Sequence, residues 1–538
     1  PLICRVVHVE SYFSFRTVRR SHDGRSLMSP IEQLLDILPH PVYTLLAALR
    51  SSDPDAVPEI TALSVRPEGE VHALLRAGDA TGVLVVTLRG RPIESYLRVV
   101  GTNGCLRADF VRGALTKLPG PGTSAISRVL NPYREASQIL IGSTRGLASR
   151  FFKAGKGYPG LGEMVEAFYR SISAQTPSPV SPSAIRETVQ ICERVGDALR
   201  GAERDREERA EKGLAARARQ LPPIEPRKGV VLVTGGSGML GRAVVAELRQ
   251  HGWPVRAVSR RIPAPSSRDA GVEYMAADLS QTLDGILFDG VSTIVHCAAE
   301  TAGGKEAHEK NTVTATSNVL HGAAKAGVRS FIHVSSLAVL KPGKSGSPLD
   351  ERAPIDAGNV TRGPYVWGKA QAERYVLEQG AALGVGVRVI RPGPLVDFAD
   401  YSPPGRLGRE LGNRFVVVGS RSSRISLCGV NTAAQVIRVV ADDFESAPPV
   451  VNLVEPTAPT RQELLARLLE KRPDLKAVWV PAWVLSVLSP LAKLLQRIVL
   501  PRSTPVDLAA AFSSERYDTT FAAQLIDRAK ATAQSKQS

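Results

Sequence analysis

Cysteine is scarce in this 538-residue chain, and what there is makes no pairing pattern. Cys4, Cys105, Cys192, Cys297 and Cys428 are scattered and form no C-x-x-C. That argues against a disulfide framework or a zinc site and for a reducing, cytoplasmic setting; no metal is expected. Long apolar runs are lacking too. The nearest, Ala477 to Ala492, is uncharged but interrupted by Pro481 and Pro490, and it is short for a membrane span. It reads as core or lid helices, and stable membrane insertion is not expected. The opening residues show no signal-peptide pattern; the chain starts at Pro1 in mid-pattern, as LICRVVHVESYFSF, and reads as a fragment with its upstream part missing. Negative charge is in deficit, with 68 Lys and Arg against 52 Asp and Glu and a formal charge of +16. No zinc-finger, arginine-rich or aromatic-basic signature accompanies that excess, so no nucleic-acid partner is expected. A basic soluble protein is the expectation, with a phosphate-bearing substrate or an anionic membrane surface as further options. The 43% hydrophobic content suits packed cores, and the length implies two or three domains.

What the chain does have is GVVLVTGGSGMLG, Gly229 to Gly241. Val230 to Val233 has the look of a buried parallel strand, and RAVVAELR (Arg242 to Arg249) takes up helical spacing. Between them Thr234, Gly235, Gly236, Ser237, Gly238, Met239, Leu240 and Gly241 form a glycine turn that fits G-x-G-x-x-G and T-G-x-x-G-x-x-G. Strand, glycine turn and helix is the context of a dinucleotide-binding fingerprint, with the pyrophosphate at the helix N-terminus. After the second strand, Pro254 to Ser259, come Arg260 and Arg261 and no carboxylate. Arginine there accommodates a 2′-phosphate, so NADP is expected over NAD. Strand-like runs then alternate with helical stretches, each strand ending in a polar or small-residue cluster: Asp278, Ala298–Ala299, Ser335–Ser336 and Arg391–Pro392–Gly393. The fold class is α/β, a Rossmann-type doubly wound parallel sheet over 229–400 with a C-terminal substrate part over 401–538.

Tyr365 and Lys369 form Y-x-x-x-K on a helix read from Tyr365 to Glu378, which puts phenol and ammonium on one face. A nearby ammonium is expected to lower the phenol's pKa towards neutrality, so that Tyr365 moves a proton to or from a substrate oxygen while Ser336 holds that oxygen. With TGGSGMLG, the DL of Asp278–Leu279, VHCAAE (Val295 to Glu300), Asn311, FIHVSS (Phe331 to Ser336), Tyr365/Lys369 and IRPGPLV (Ile390 to Val396), residues 229 to about 400 resemble the extended short-chain dehydrogenase/reductases of the NAD-dependent epimerase/dehydratase group. The resemblance implies Asp278 and Leu279 near the adenine, and Cys297, Ala298 and Ala299 along the nucleotide cleft. It implies Asn311 supporting the active-site helix, its water or Lys369. Lys369 would sit on the nicotinamide ribose, with Pro392 and Gly393 beside the nicotinamide. It implies an NAD(P)-dependent oxidoreductase or epimerase/dehydratase acting on a small molecule, a sugar nucleotide first. Leu340 stands where many sugar-nucleotide epimerases have tyrosine, which leaves room for a 3β-hydroxysteroid-dehydrogenase-like reductase of an apolar ketone. A non-catalytic NADP-sensing regulator is the third reading; Tyr365 and Lys369 count against it. A homo-oligomer is expected.

Residues 1–200 read as an α+β domain with an open antiparallel sheet: a strand over Ile3–Phe15, a helix over Ile31–Arg50 disturbed by Pro39 and Pro41, then strands at Glu59–Val65, Val71–Arg76, Gly82–Leu88 and Ile93–Val100. LLDILPHP, LRVVGTNGCLRADF, YPGLGEMVEAFYRSI and the Ser183–Leu199 helix resemble the C-terminal domain of the Gfo/Idh/MocA family. That resemblance implies a second, sugar-handling site with Asp36 and His40 one helical turn apart, and a nucleotide-binding half missing from this chain. Residues 201–228 read as a charged, Pro-rich linker. Beyond residue 400, Arg406, Arg409 and Arg414 are candidates to meet a diphosphate.

Overall fold

The structure is a computed structural model and describes residues 3–15, 28–51, 53–120, 124–152, 161–225, 229–341, 347–356, 362–481, 483–484 and 515–534. The chain divides into two compact units, Pro1–Arg209 and Ala210–Ser538. Of the apolar run noted above, residues 482 and 485–492 lie outside the described residues.

In the first unit one sheet has the order β2-β3-β4-β1-β5-β6-β7. Its strands are β1 (Val6–Ser14), β2 (Glu59–Arg66), β3 (Glu70–Ala77), β4 (Ala80–Thr87), β5 (Ser95–Gly101), β6 (Gly104–Asp109) and β7 (Ala114–Pro119). The antiparallel expectation holds for every neighbouring pair except β1 and β4, which run parallel. β1 is inserted between β4 and β5, a long-range choice that no local pattern reports. The expected helix is two helices, α1 (Pro30–Ile37) and α2 (Pro39–Leu49), interrupted at Leu38. Pro39 and Pro41 carry no N–H, so the hydrogen-bond ladder cannot run through them. Ser29 and Glu32 close a capping box at the start of α1. Leu34, Leu38, Leu45 and Leu49 pack on Val71 and Leu84 of the sheet and with Ile191, Val195 and Leu199 of the later helix Pro182–Ala218. The helices after the sheet are α3 (Ala125–Phe152), α4 (Leu161–Ser173) and α5 (Pro182–Ala218); α3, β6 and β7 are elements that the sequence pattern did not single out. α5 runs unbroken through the start of the segment read as a linker, and the division between the units falls within it.

The second unit is built on β8 (Val230–Thr234), α6 (Met239–Gln250), β9 (Val255–Ser259), β10 (Glu273–Ala276), β11 (Val291–His296), α7 (Lys305–His308), α8 (Ala315–Lys325), β12 (Ser330–Val334), α9 (Pro364–Gln379) and β13 (Gly386–Pro392). Its C-terminal stretch adds β14 (Leu395–Val396), β15 (Gly408–Leu411), β16 (Arg414–Val418), β17 (Cys428–Gly429), α10 (Val430–Asp442), β18 (Val450–Leu453), α11 (Arg461–Lys471), β19 (Lys476–Val480) and α12 (Thr520–Gln534). The main sheet is wholly parallel, in the order β10-β9-β8-β11-β12-β13-β18. Helices α6, α10 and α12 pack on one face and α8 and α9 on the other. That is the doubly wound arrangement, with Val231, Leu232 and Val233 of β8 fully buried between the layers. A boundary at residue 400 does not follow the fold: β18 completes the sheet, and α10 and α12 supply one of its cores. A separate small sheet, β15-β16-β19, packs with α11.

The strand order reverses between β8 and β11, so a crevice opens at the C-terminal ends of these strands. The first turn into it depends on glycine at two places. Gly235 has φ +69, and a Cβ on Gly241 would lie 2.1 Å from the Gly235 carbonyl oxygen. Gly241→Ala is therefore expected to cost about 1–3 kcal/mol or more through forced overpacking. Gly285→Ala, whose Cβ meets nothing within 4 Å, should stay within about 1 kcal/mol of the parent. Urea unfolding of the two variants side by side checks this; equal midpoints would contradict it.

Candidate active site

The glycine turn supplies the floor of the site. Gly238 is the N-cap of α6 and makes no side-chain cap bond, so the N–H groups of Met239, Leu240 and Gly241 have no carbonyl one turn back. A Cβ on Gly238 would meet only the Gly235 oxygen, at 3.2 Å, which leaves its outer side open. Thr234 lies beneath, fully buried. Its hydroxyl is 2.8 Å from His296 Nδ1 and accepts the Ala298 N–H at 3.3 Å. Across the ring, His296 Nε2 is 3.0 Å from Thr316 Oγ1, which itself donates to the Thr312 carbonyl at 2.7 Å. With the Thr316 proton committed, Nε2 must be the donor, and Nδ1 accepts from Thr234. Burial, with Lys369 nearby, pushes the His296 pKa down to about 3, so the ring stays neutral and braces the turn.

A cavity of about 980 Å³ opens over this floor. Gly235, Ser237, Gly238, Met239, Leu240 and Gly241 line it, as do Arg260, Asp278, Leu279, Cys297, Ala298, Ala299, Asn311, Ser336, Tyr365, Lys369, Pro392 and Gly393. Of the residues expected there, Thr234, Gly236 and Arg261 do not line it. Thr234 and Gly236 support it from behind, where a Cβ on Gly236 would come within 2.8 Å of the Ala257 Cβ. Arg406 and Arg409 also line the cavity; Arg414, exposed on β16, does not. Tyr517, from a segment whose backbone pairs with Leu349, was not anticipated.

α9 carries Tyr365 and Lys369, the side chains expected to be reactive. The Tyr365 phenol and the Ser336 hydroxyl line the same cavity. Burial raises the Tyr365 pKa above 10, and Ser336 offsets only part of that. The expected lowering by Lys369 is therefore not what the structure has. Lys369, one turn on, is buried and donates from Nζ to the Val334 carbonyl oxygen at 2.6 Å. Burial lowers its own pKa to about 8, against Cys297 and Glu373, which raise it. Glu373, one further turn along, is completely buried. One of its oxygens accepts from Arg391 Nη2 at 2.6 Å and Nε at 2.9 Å, and the other accepts the Ser335 hydroxyl proton. The signal for this pair was present in the sequence, as an acid at the i+4 position of the Y-x-x-x-K helix and an arginine in IRPG. Gly368 matters for a different reason: a Cβ there would sit 3.0 Å from the Cβ of His308, whose ring meets the Tyr365 ring edge-on at 6.2 Å.

Asn311 lies in a π-helical turn, Glu309–Thr314, and its amide donates to Glu300 at 2.8 Å. The other Glu300 oxygen accepts the N–H groups of Thr301 and Ala302, each at 3.1 Å. Burial pushes the Glu300 pKa up, but these bonds together with Arg260 outweigh it and hold it below the ordinary value. Arg260 acts likewise on Asp278, whose pKa is lowered chiefly by the Ser280 hydroxyl bond. In the first unit, Asp36 and His40 stand on either side of the Leu38 break, and both are exposed. Neither lines the cavity described above or the small pocket beside Leu35 and Cys192.

Residues 231–396 match the NAD dependent epimerase/dehydratase family. The 3 beta-hydroxysteroid dehydrogenase/Delta 5-->4-isomerase of Mycobacterium tuberculosis is 32% identical over 212 residues, which cover 37% of this chain and 56% of that protein. The ceramide reductase of Caulobacter vibrioides is 35% identical over 169 residues, 29% of this chain and 52% of that one. Among solved structures, the terminal R domain of the myxalamid PKS-NRPS pathway superposes with a TM-score of 0.44 at 18% identity, covering 57% of this chain and 87% of that one. The chain spans about half the length of the curated relatives it matches. The family match leaves the first unit unassigned.

Lys369 gives a pH signature. Its folded pKa of about 8 lies below the ordinary lysine value of 10.5. In the window between them the unfolded chain binds the extra proton, so the Lys369 contribution to stability rises with pH. Urea unfolding of wild type and Lys369→Met should show the wild type gaining on the variant from about pH 8 to about pH 10. A difference independent of pH would contradict the buried ammonium.

Proposed function

We propose that the second unit is an NADP-dependent oxidoreductase that interconverts a ketone and a secondary alcohol on a largely apolar substrate. One observation carries the reading: Ser336, Tyr365 and Lys369 share a single cavity with the glycine cradle at the strands' C-terminal ends. The cradle fits a dinucleotide, because Gly238 leaves its outer side open beside the first N–H groups of α6 and the cavity is at the large end of small-molecule sites. Met239, Leu240 and Gly241 would take the pyrophosphate, Asp278 and Leu279 the adenine, and Arg260 a 2′-phosphate. Cys297, Ala298 and Ala299 would line the cleft, and Lys369, Pro392 and Gly393 would border the nicotinamide end. When bound, the cofactor supplies the hydride donor or acceptor.

The chain's own residues handle the proton. Ser336 and Tyr365 hold the substrate oxygen between two hydroxyls. A buried phenol with a raised pKa is a proton donor at neutral pH, so the resting state suits protonation of a carbonyl oxygen, the reductive direction. Lys369, fixed on Val334, stands one helical turn away with a pKa near the working range. For the substrate, Leu337, Ala338, Pro394 and Leu395 give the cavity apolar wall. The names of the curated relatives, a hydroxysteroid dehydrogenase and a ceramide reductase, support the same class. A sugar nucleotide is the second reading; it is favoured by Arg406 and Arg409, which line the cavity. The resemblance of the first unit to the Gfo/Idh/MocA C-terminal domain adds no chemistry to this proposal, since Asp36 and His40 are exposed.

Tyr365→Phe should lower kcat/KM for ketone reduction by about 10²–10⁴ while NADPH affinity stays within about twofold. Steady-state kinetics on a ketosteroid and a long-chain ketone, with a uridine-diphosphate sugar run in parallel, checks both activity and class. Undiminished turnover in the variant would overturn the proton-transfer role, and turnover of the sugar nucleotide alone would overturn the apolar class.

A further inference from the structure

Helix α3 of the first unit is amphipathic the wrong way round. Ile126, Val129, Leu130, Tyr133, Leu140 and Ile141 recur at helical spacing and are 50–73% exposed. They form one apolar stripe about 22 Å long at 1.5 Å per residue. The opposite side of the helix faces the sheet. A Cβ on Gly142 would come within 2.9 Å of Ala114 on β7, and one on Gly146 within 2.9 Å of the Arg112 carbonyl oxygen. Gln138 pins the rotation: its side chain accepts the Lys117 N–H at 2.7 Å and donates to the Lys117 carbonyl at 3.2 Å. The stripe is thus held outward by the contacts that seat the helix.

We propose that this face docks on an anionic lipid surface, with α3 lying in the plane of the interface. Charge selects that occupant. The helix sequence carries Arg128, Arg134, Arg145 and Arg150 against one acid, Glu135. Arg134 and Arg145 are exposed and lie about 90° round the helix from the middle of the stripe, whereas Glu135 lies on the sheet side. Two copies meeting stripe to stripe would bring these arginines together, a like-charge contact that disfavours association. An anionic headgroup layer meets them with opposite charge while the acyl boundary takes the apolar side chains. Among the described residues no helix is long and apolar enough to cross a membrane, so α3 would lie on the surface rather than span it.

The test is flotation of the full chain with phosphatidylcholine vesicles, with and without about 30 mole percent phosphatidylglycerol. The wild type should float with the anionic vesicles only. Leu130→Asp/Leu140→Asp and, separately, Arg134→Glu/Arg145→Glu should each reduce binding about tenfold or more with unchanged thermal unfolding, since all four side chains face solvent. Leu130→Gln/Leu140→Gln stands in if the aspartate pair fails to fold. The proposal is overturned if the wild type does not float, or if the leucine variants float as well as wild type, which would mean diffuse basic charge. It is also overturned if sedimentation equilibrium shows a dimer that the leucine variants dissociate, which would put a second copy on the stripe.

Discussion

The bond from Lys369 Nζ to the Val334 carbonyl oxygen ties helix α9 to the end of β12, and the placing of Tyr365 and Lys369 beside Ser336 depends on it. Val334 is two residues before Ser336, and Tyr365 is one turn before Lys369. Fixing the lysine on the strand end therefore keeps the phenol and the serine hydroxyl on one cavity. One turn further, Glu373 is bound to Arg391 at the end of β13 and to Ser335, so the same helix face is anchored to two adjacent strands. That pair is buried on both sides, and loss of either partner would leave a charge in the core at a cost of about 3–5 kcal/mol. Its local effect is on Lys369: Glu373 raises a pKa that burial lowers, which leaves the lysine near 8.

The crevice at the strands' C-terminal ends is shaped by backbone rather than by side chains. Gly235 and Gly241 let the turn close on itself, and the buried Thr234–His296–Thr316 chain stiffens the strand ends beneath. Charge is set above that floor. Arg260 stands near both Asp278 and Glu300, so a 2′-phosphate would share it with two carboxylates. Cofactor preference at this position is then a balance among three groups, where the sequence offered only the two arginines.

Much of the second unit was legible because its signals are local. The apolar run of β8, the glycine turn and the helical spacing of α9 each span fewer than about 20 residues, within reach of a periodicity argument. What was not legible depends on distant partners. Nothing near Val450 and Val451 says that they pair with Val389 and Ile390 to close the sheet. Asn311, in a π-helical turn, donates to Glu300 across eleven residues, and the Tyr365 pKa is raised because burial outweighs the lowering influence of Ser336. In the first unit, Pro39 and Pro41 announced the break between α1 and α2, but the insertion of β1 beside β4 had no local sign. The stripe on α3 has the ordinary period of a core-facing helix; only the glycines and Gln138 on its other side, read in three dimensions, show that it faces outward.

The central claim is that the second unit holds a working NADP site. Titration of the full chain with NADPH and NADH, followed by nicotinamide fluorescence, tests it most directly. The account predicts saturable NADPH binding about tenfold or more tighter than NADH, with the preference lost in Arg260→Asp. Absence of binding by either nucleotide would contradict the site itself, and an unchanged preference in Arg260→Asp would contradict the role given to the arginine.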